Sequence, residues 1–150
     1  VIPFAKAVSR SGDGYLHVLI PVLLWVLHAP GSLAFLGLLI PALVLERALY
    51  FTLKNSLRRR RPQEAVAGFS SLITASDQFS FPSGHSSAAF LLATSLVLVY
   101  GWPVAILYVW AVAVAFSRIL LGVHFPGDTL AGAVMGASIA LLSAQLPPWW

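Results

Sequence analysis

The chain has 150 residues, 59% of them hydrophobic and only 9% charged, and its mean hydropathy is +0.86. A soluble domain carries about 25% charged residues, so this composition specifies lipid as the surrounding solvent. Nine basic against five acidic residues leave a net charge of +4, yet no zinc-ligand spacing or recognition helix accompanies the basic run, which argues against a nucleic-acid partner; the lack of cysteine excludes disulfides and thiolate metal sites.

One domain over residues 1–150 is expected from the length. The chain starts at Val1 rather than methionine, as a processed or trimmed chain would. Lys6 and Arg10 are followed by Gly12-Asp13-Gly14 and not by a cleavage pattern. Five apolar stretches follow. Tyr15 to His28 is short and contains Pro21, whereas Leu33 to Leu53 has about the 20 residues a bilayer span needs. Ser86 to Phe116 carries no charge and is too long for one span; it breaks at Tyr100-Gly101-Trp102-Pro103, a turn flanked by interfacial aromatics. Thr129 to Leu146 is the last stretch, and Pro147-Pro148-Trp149-Trp150 would stop it and anchor it at the interface. Irregular backbone cannot face lipid, so the expected fold is all-α: a polytopic membrane bundle of five to six transmembrane helices.

Alternating spans sort the charges. Lys6, Arg10 and Asp13 lie on one side, and Lys54, Arg58 to Arg61, Glu64, Asp77, Arg118 and Asp128 return to it, with Glu46 and Arg47 late in the second helix. The turns at residues 29–32 and 100–103, on the opposite side, carry none. An anchor has no reason to gather carboxylates with its arginines at one surface; a polar site does.

Three constellations share that surface. In "KNSLRRRRP", Lys54 and Arg61 are seven residues apart, which on one helix places them within about 20° of one stripe and roughly 10 Å along it. Two long cations so placed can hold one anion, while Arg58, Arg59 and Arg60 fit a polybasic cluster that touches anionic lipid. In "FPSGH", Pro82 favours an extended Phe81, Ser83 can cap the helix, and Gly84 leaves a bare amide where first-turn N–H groups bind anions. His85 in that turn can exchange a proton with a bound group; an ordinary cap beside an interfacial histidine is the plainer reading. In "SRILLGVHFPGD", Arg118 is costly in lipid unless paired, Gly122 ends one helix, and Pro126-Gly127-Asp128 opens the next. The spacing lets Asp128 cap that helix and hold one nitrogen of His124, leaving the other free. Cations, amides, two histidines and an orienting carboxylate suit phosphoryl transfer.

These residues resemble the three signatures of the type 2 phosphatidic acid phosphatase superfamily: Lys54, six residues, Arg61-Pro62; then Pro82-Ser83-Gly84-His85; then Ser117-Arg118, His124 and Asp128. All three match in order across residues 54–128. The resemblance implies a helical core shared with vanadate-dependent haloperoxidases, whose soluble character this composition contradicts. It further implies a phosphatase without metal or other cofactor, in which His124 becomes a phosphohistidine and Asp128 orients it. His85 protonates the leaving group, and Lys54, Arg61, Arg118, Ser83 and the Gly84 amide hold the phosphoryl oxygens.

The implied substrate is a membrane lipid phosphate or diphosphate: polyprenyl diphosphate, phosphatidylglycerol phosphate or phosphatidic acid. A phosphotransferase acting on a lipid acceptor such as lipid A, and a non-catalytic scaffold for anionic headgroups, are the alternatives. Bacterial members commonly have six helices against the five counted here, so either a helix precedes Val1 or the residues before Gly12 form a shortened one. The expected location is the bacterial inner membrane. Counting Lys and Arg would put the charged face in the cytoplasm. Cations occupied by substrate weaken that rule, and the expected side is the periplasm or outside.

Overall fold

Proline and glycine set most of the helix ends in the computed structural model, which describes residues 1–147. The helices are α1 (Ile2–Ser11), α2 (Leu16–Val26), α3 (Ser32–Leu57), the single turn α4 (Pro62–Ala65), α5 (Gly84–Tyr100), α6 (Leu107–Leu120, preceded by a 3-10 turn at Trp102–Ile106) and α7 (Pro126–Ser143). Among the described residues there is no strand. Gly31, Gly101 and Gly122 take positive φ (81°, 78° and 74°) at the junctions before α3, after α5 and after α6, where a Cβ would be strained. The break expected at Tyr100 to Pro103 is therefore real, and the residues before Gly12 do form a short helix, packed on α6. Of the expected terminal anchor, Pro148, Trp149 and Trp150 lie outside the described residues.

One expectation fails. Lys54 and Arg61 do not share a helical stripe, because Arg58 adopts a left-handed conformation (φ 47°) that ends α3, and Pro62 starts a new turn. The two cations nevertheless meet, through a third residue described below.

The core lies between α3, α5 and α7, where Phe35, Leu39, Ala42, Leu91, Leu92, Leu96, Met135, Ile139 and Ala140 are buried together. The contact of α5 with α7 is the most extensive in the molecule. Gly132 and Gly136 make it so close that a Cβ at either would stand 2.4 Å from Ser83 O or 2.0 Å from Ser87 O. Small residues four apart are how membrane helices bring backbones together. A smaller cluster of Ala89, Ala93, Ala111 and Val114 joins α5 to α6.

Outside, large apolar side chains such as Trp25, Val44, Val109, Phe116, Leu130 and Leu142 are exposed, while Glu46, Ser83, Ser86, Ser87 and Asp128 are buried. Such an exterior suits lipid contact. By length and composition Ser32–Ala65 and Trp102–Leu120 are apolar enough to cross a membrane; Leu16–Val26 and Gly84–Tyr100 are apolar but shorter.

Candidate active site

The ends of α3, α5, α6 and α7 converge with the turn after α1 and the irregular segment 66–83. Lys54, in the last turn of α3, donates to Tyr50 Oη at 2.6 Å and pairs with the carboxylate of Asp77. Arg61 spreads its fork over three acceptors: Asp77 Oδ1, the Asp77 carbonyl (3.1 Å) and the Val123 carbonyl (2.6 Å), the last directly before His124. Burial alone would raise the Asp77 carboxyl, but hydrogen bonds from Lys54 and Tyr50 and the charges of Lys54 and Arg61 hold it at about 2.

Ser83 caps α5 as its position suggested, its Oγ accepting from Ser86 N at 3.4 Å and from Ser86 Oγ at 3.0 Å. The N–H groups of Gly84 and His85 have no protein acceptor among the described residues. A Cβ at Gly84 would come within 2.9 Å of the Tyr50 ring, which would have to shift to admit it. His85 Nε2 is 2.8 Å from Asp13 Oδ1, in the turn between α1 and α2. Arg118, buried at the end of α6, donates from Nη1 to Ser9 Oγ of α1 at 2.6 Å and leaves its Nε without a partner.

His124 lies in the α6–α7 junction and is only 4% exposed. Burial, with Arg61 and Arg118 nearby, holds its imidazole below the ordinary histidine range against the opposing pull of Asp128. The expected hydrogen bond to Asp128 is not made: His124 Nδ1 stands 3.8 Å from Asp128 Oδ2, an ion-pair separation. Asp128, fully buried at the third position of α7, instead accepts from Phe125 N at 2.8 Å, from Ser80 Oγ and from Arg59 Nη1 at 2.7 Å. It caps the helix, as anticipated, and faces Nδ1 of His124 while engaged elsewhere.

All eight expected residues thus reach one end of the bundle. Arg58 and Arg60 remain exposed, as assigned, but Arg59 does not merely touch lipid: it pairs with Asp128 and lies 4.5 Å over the Phe125 ring. Asp13, Tyr50, Asp77, Ser80 and Ser9 were also not singled out as site residues. For Asp77 a signal existed. In Ile73-Thr74-Ala75-Ser76-Asp77-Gln78-Phe79 the odd positions are the less exposed, and Asp77 is a charge at an inward phase of that alternation.

Two cavities open beside the cluster and meet at Asp13, Ser76 and His85. One of about 520 Å³ runs along His17, Leu43, Glu46, Arg47 and Tyr50; one of about 300 Å³ is lined by Lys6, Arg10 and Arg118. Cations and free amides can neutralise a tetrahedral oxyanion, a histidine with one free nitrogen can attack, and a second histidine can pass a proton. Among the described residues no three His, Cys, Asp or Glu side chains group as a metal site.

The sequence model of the PAP2 superfamily matches residues 34–150. Escherichia coli YbjG, provisionally named an undecaprenyl-diphosphatase, is 33% identical over 129 residues, covering 85% of this chain and 64% of YbjG. The chain spans less than two thirds of the length of the curated relatives it matches. The crystal structure of Aquifex aeolicus LpxE superposes with a TM-score of 0.83 at 28% identity, over 97% of this chain and 86% of that one. A transmembrane PAP2-type phosphatidylglycerolphosphate phosphatase from Bacillus subtilis gives 0.75 at 26% identity, over 95% and 74%.

Proposed function

The chain belongs to the PAP2 superfamily, and we propose that it is an integral-membrane phosphatase that removes a terminal phosphoryl group from a lipid phosphate or diphosphate through a phosphohistidine on His124. The observation that carries this reading is the convergence of Lys54, Arg61, Arg118, His85, His124 and the free amides of Gly84 and His85 at one end of an apolar-surfaced bundle. Relatives named for polyprenyl diphosphates and lipid A support a lipid-linked substrate.

In the proposed reaction the free Nε2 of His124 attacks phosphorus, and the bond to the leaving oxygen breaks as the N–P bond forms. Lys54, Arg61, Arg118 and the amides at the start of α5 bind the three peripheral oxygens, whose charge is spread in the transition state. His85 gives its proton to the leaving oxygen, and Asp13 fixes the ring that does so. Water then cleaves the N–P bond, with His85 now accepting a proton, and inorganic phosphate leaves. Asp128 faces Nδ1 and favours the tautomer with a free Nε2.

The test is phosphate release from a panel of lipid phosphates and diphosphates in detergent with EDTA present. Release by the wild-type chain, abolished in His124→Ala, is expected; a His124→Ala rate equal to wild type would refute the proposal. A labelled donor run with lipid acceptors separates hydrolysis from transfer, since transfer leaves label on a lipid.

A further inference from the structure

Resting on the phosphatase reading, we propose that Asp77 is a specificity-determining residue: its carboxylate occupies the seat of the phosphoryl group between Lys54, Arg61 and Tyr50, and only a terminal phosphoryl dianion displaces it. Three observations converge on this. First, three of the groups that must meet the phosphoryl group are sealed: Lys54 is 5% exposed, Arg61 2% and His124 4%. Neither cavity beside the site is lined by Lys54, Arg61 or His124. A substrate can reach His124 only if something moves.

Second, the covering element is the segment 73–79, which carries Asp77 and contributes Ser76 to both cavities. It is pinned at both ends by backbone hydrogen bonds, Leu72 N to Leu121 O (2.9 Å) and Ser80 N to Arg59 O (2.8 Å). Between those pins, the described hydrogen bonds are Ser71 Oγ to the Ile73 carbonyl and those that Tyr50, Lys54 and Arg61 make with Asp77. Ile73 and Ala75 also pack on Ala5, Leu121 and Val123, but the polar contacts that latch Asp77 come from the very side chains that would bind substrate.

Third, the latch is an anion of the right kind. Asp77 Oδ1 takes Arg61 Nη2, while Oδ2 takes both Lys54 Nζ and Tyr50 Oη, which is how a phosphoryl group would use the same donors. A monoester or terminal phosphate carries about −1.5 to −2 charges at pH 7 and outbids a carboxylate at two buried cations. A phosphodiester carries −1, so exchanging it for Asp77 gains no charge. Since ordinary bilayer phospholipids are diesters, the carboxylate keeps the site from filling with the surrounding lipid. The cost is affinity for everything, because apparent binding is reduced by the fraction of molecules with the strap released.

The experiment uses the full chain in detergent, wild type against Asp77→Asn, with inorganic phosphate and dimethyl phosphate as inhibitors of phosphate release. Wild type should be inhibited by inorganic phosphate and not by dimethyl phosphate. In Asp77→Asn, inorganic phosphate should bind about tenfold more tightly, as expected if roughly a tenth of wild-type molecules are open, and dimethyl phosphate should become a competitive inhibitor. Weaker inhibition by both in the variant would mean that Asp77 merely positions the cations, and would overturn the proposal. An independent reading uses the wild-type chain alone. Saturating inorganic phosphate should speed cleavage before Asp77 by an aspartate-directed endoproteinase, whereas slower cleavage there also overturns it. If wild type neither releases phosphate from any lipid nor binds it, the phosphatase reading fails and this one with it. Active wild type with the wrong sign in the variant sinks the gate alone.

Discussion

Arg59 Nη1 lies 2.7 Å from Asp128 Oδ1, and the same guanidinium covers the Phe125 ring at 4.5 Å. The carboxylate that faces His124 is thus held by a cation from the other side of the site. Replacing Arg59 with Ala leaves a fully buried carboxylate short of a charged donor. Because Arg59 is itself nearly half exposed, the expected loss is about 1–2 kcal/mol of stability, with kcat falling more than KM rises. Arg59→Lys should recover part of both. Thermal unfolding and steady-state kinetics on the three proteins check this, and an Arg59→Ala indistinguishable from wild type would show that the pair does nothing for Asp128.

The two histidines should separate by what accumulates on the enzyme. Loss of a general acid costs about 10²–10⁴ in rate, so His85→Ala should be slow yet still able to form the covalent species. With labelled substrate and rapid denaturation at alkaline pH, label should remain on His85→Ala and be absent from His124→Ala. Label on the His124→Ala protein would assign the nucleophile elsewhere.

A histidine held below its ordinary pKa stays neutral in mild acid. For His124 the consequence is that the acidic limb of kcat/KM falls below pH 6.5, the ordinary value, and not above it. Stability responds earlier: below pH 6.5 the unfolded chain binds a proton that folded His124 refuses, so stability declines as pH falls from 6.5 toward the folded value. For Asp77, held at about 2 against 3.8, the stabilisation is present above 3.8 and lost as pH falls from there to 2. A pH series of rates and of thermal midpoints tests both, and an acidic limb above 6.5 contradicts the assignment.

Gly136→Ala forces a methyl group to within 2.0 Å of the Ser87 carbonyl, where only a shift of one helix makes room. Overpacking of this kind costs about 1–3 kcal/mol, and here it also moves α7 relative to α5. Both the thermal midpoint and the activity should fall. A substitution on the outer face, Leu130→Ala, removes an exposed side chain and should change neither.

Much of this architecture is legible from residue order. Turn residues at Gly31, Gly101 and Gly122 mark helix ends because their backbone conformations exclude most other residues. The three short motifs name eight residues that do reach one end of the bundle. What stays hidden depends on the path of irregular backbone. The left-handed Arg58 rotates Arg59 toward Asp128, and nothing in a run of four arginines distinguishes the one that turns inward. Asp13 meets His85 only because the short α1 packs on α6, a contact with no spacing rule to announce it. Asp128 illustrates the limit of spacing arguments: four residues bring it near His124, but Ser80 and Arg59, distant in sequence, decide which way its oxygens turn.

The glycine-paved contact of α5 with α7 divides the site into two mechanical parts. His85, the amides at the start of α5 and the helix bearing Asp128 are locked together by backbone at van der Waals range, and Ser83 N donates directly to Asp128 O at 3.0 Å. Lys54, Arg59 and Arg61 sit instead on the last turn of α3 and the short link to a single helical turn. As the protein is warmed or moved into harsher detergent, the second part should loosen first. Inactivation would then begin as failing substrate affinity while the reacting groups keep their alignment, so that saturating substrate restores the rate until α5 and α7 themselves part.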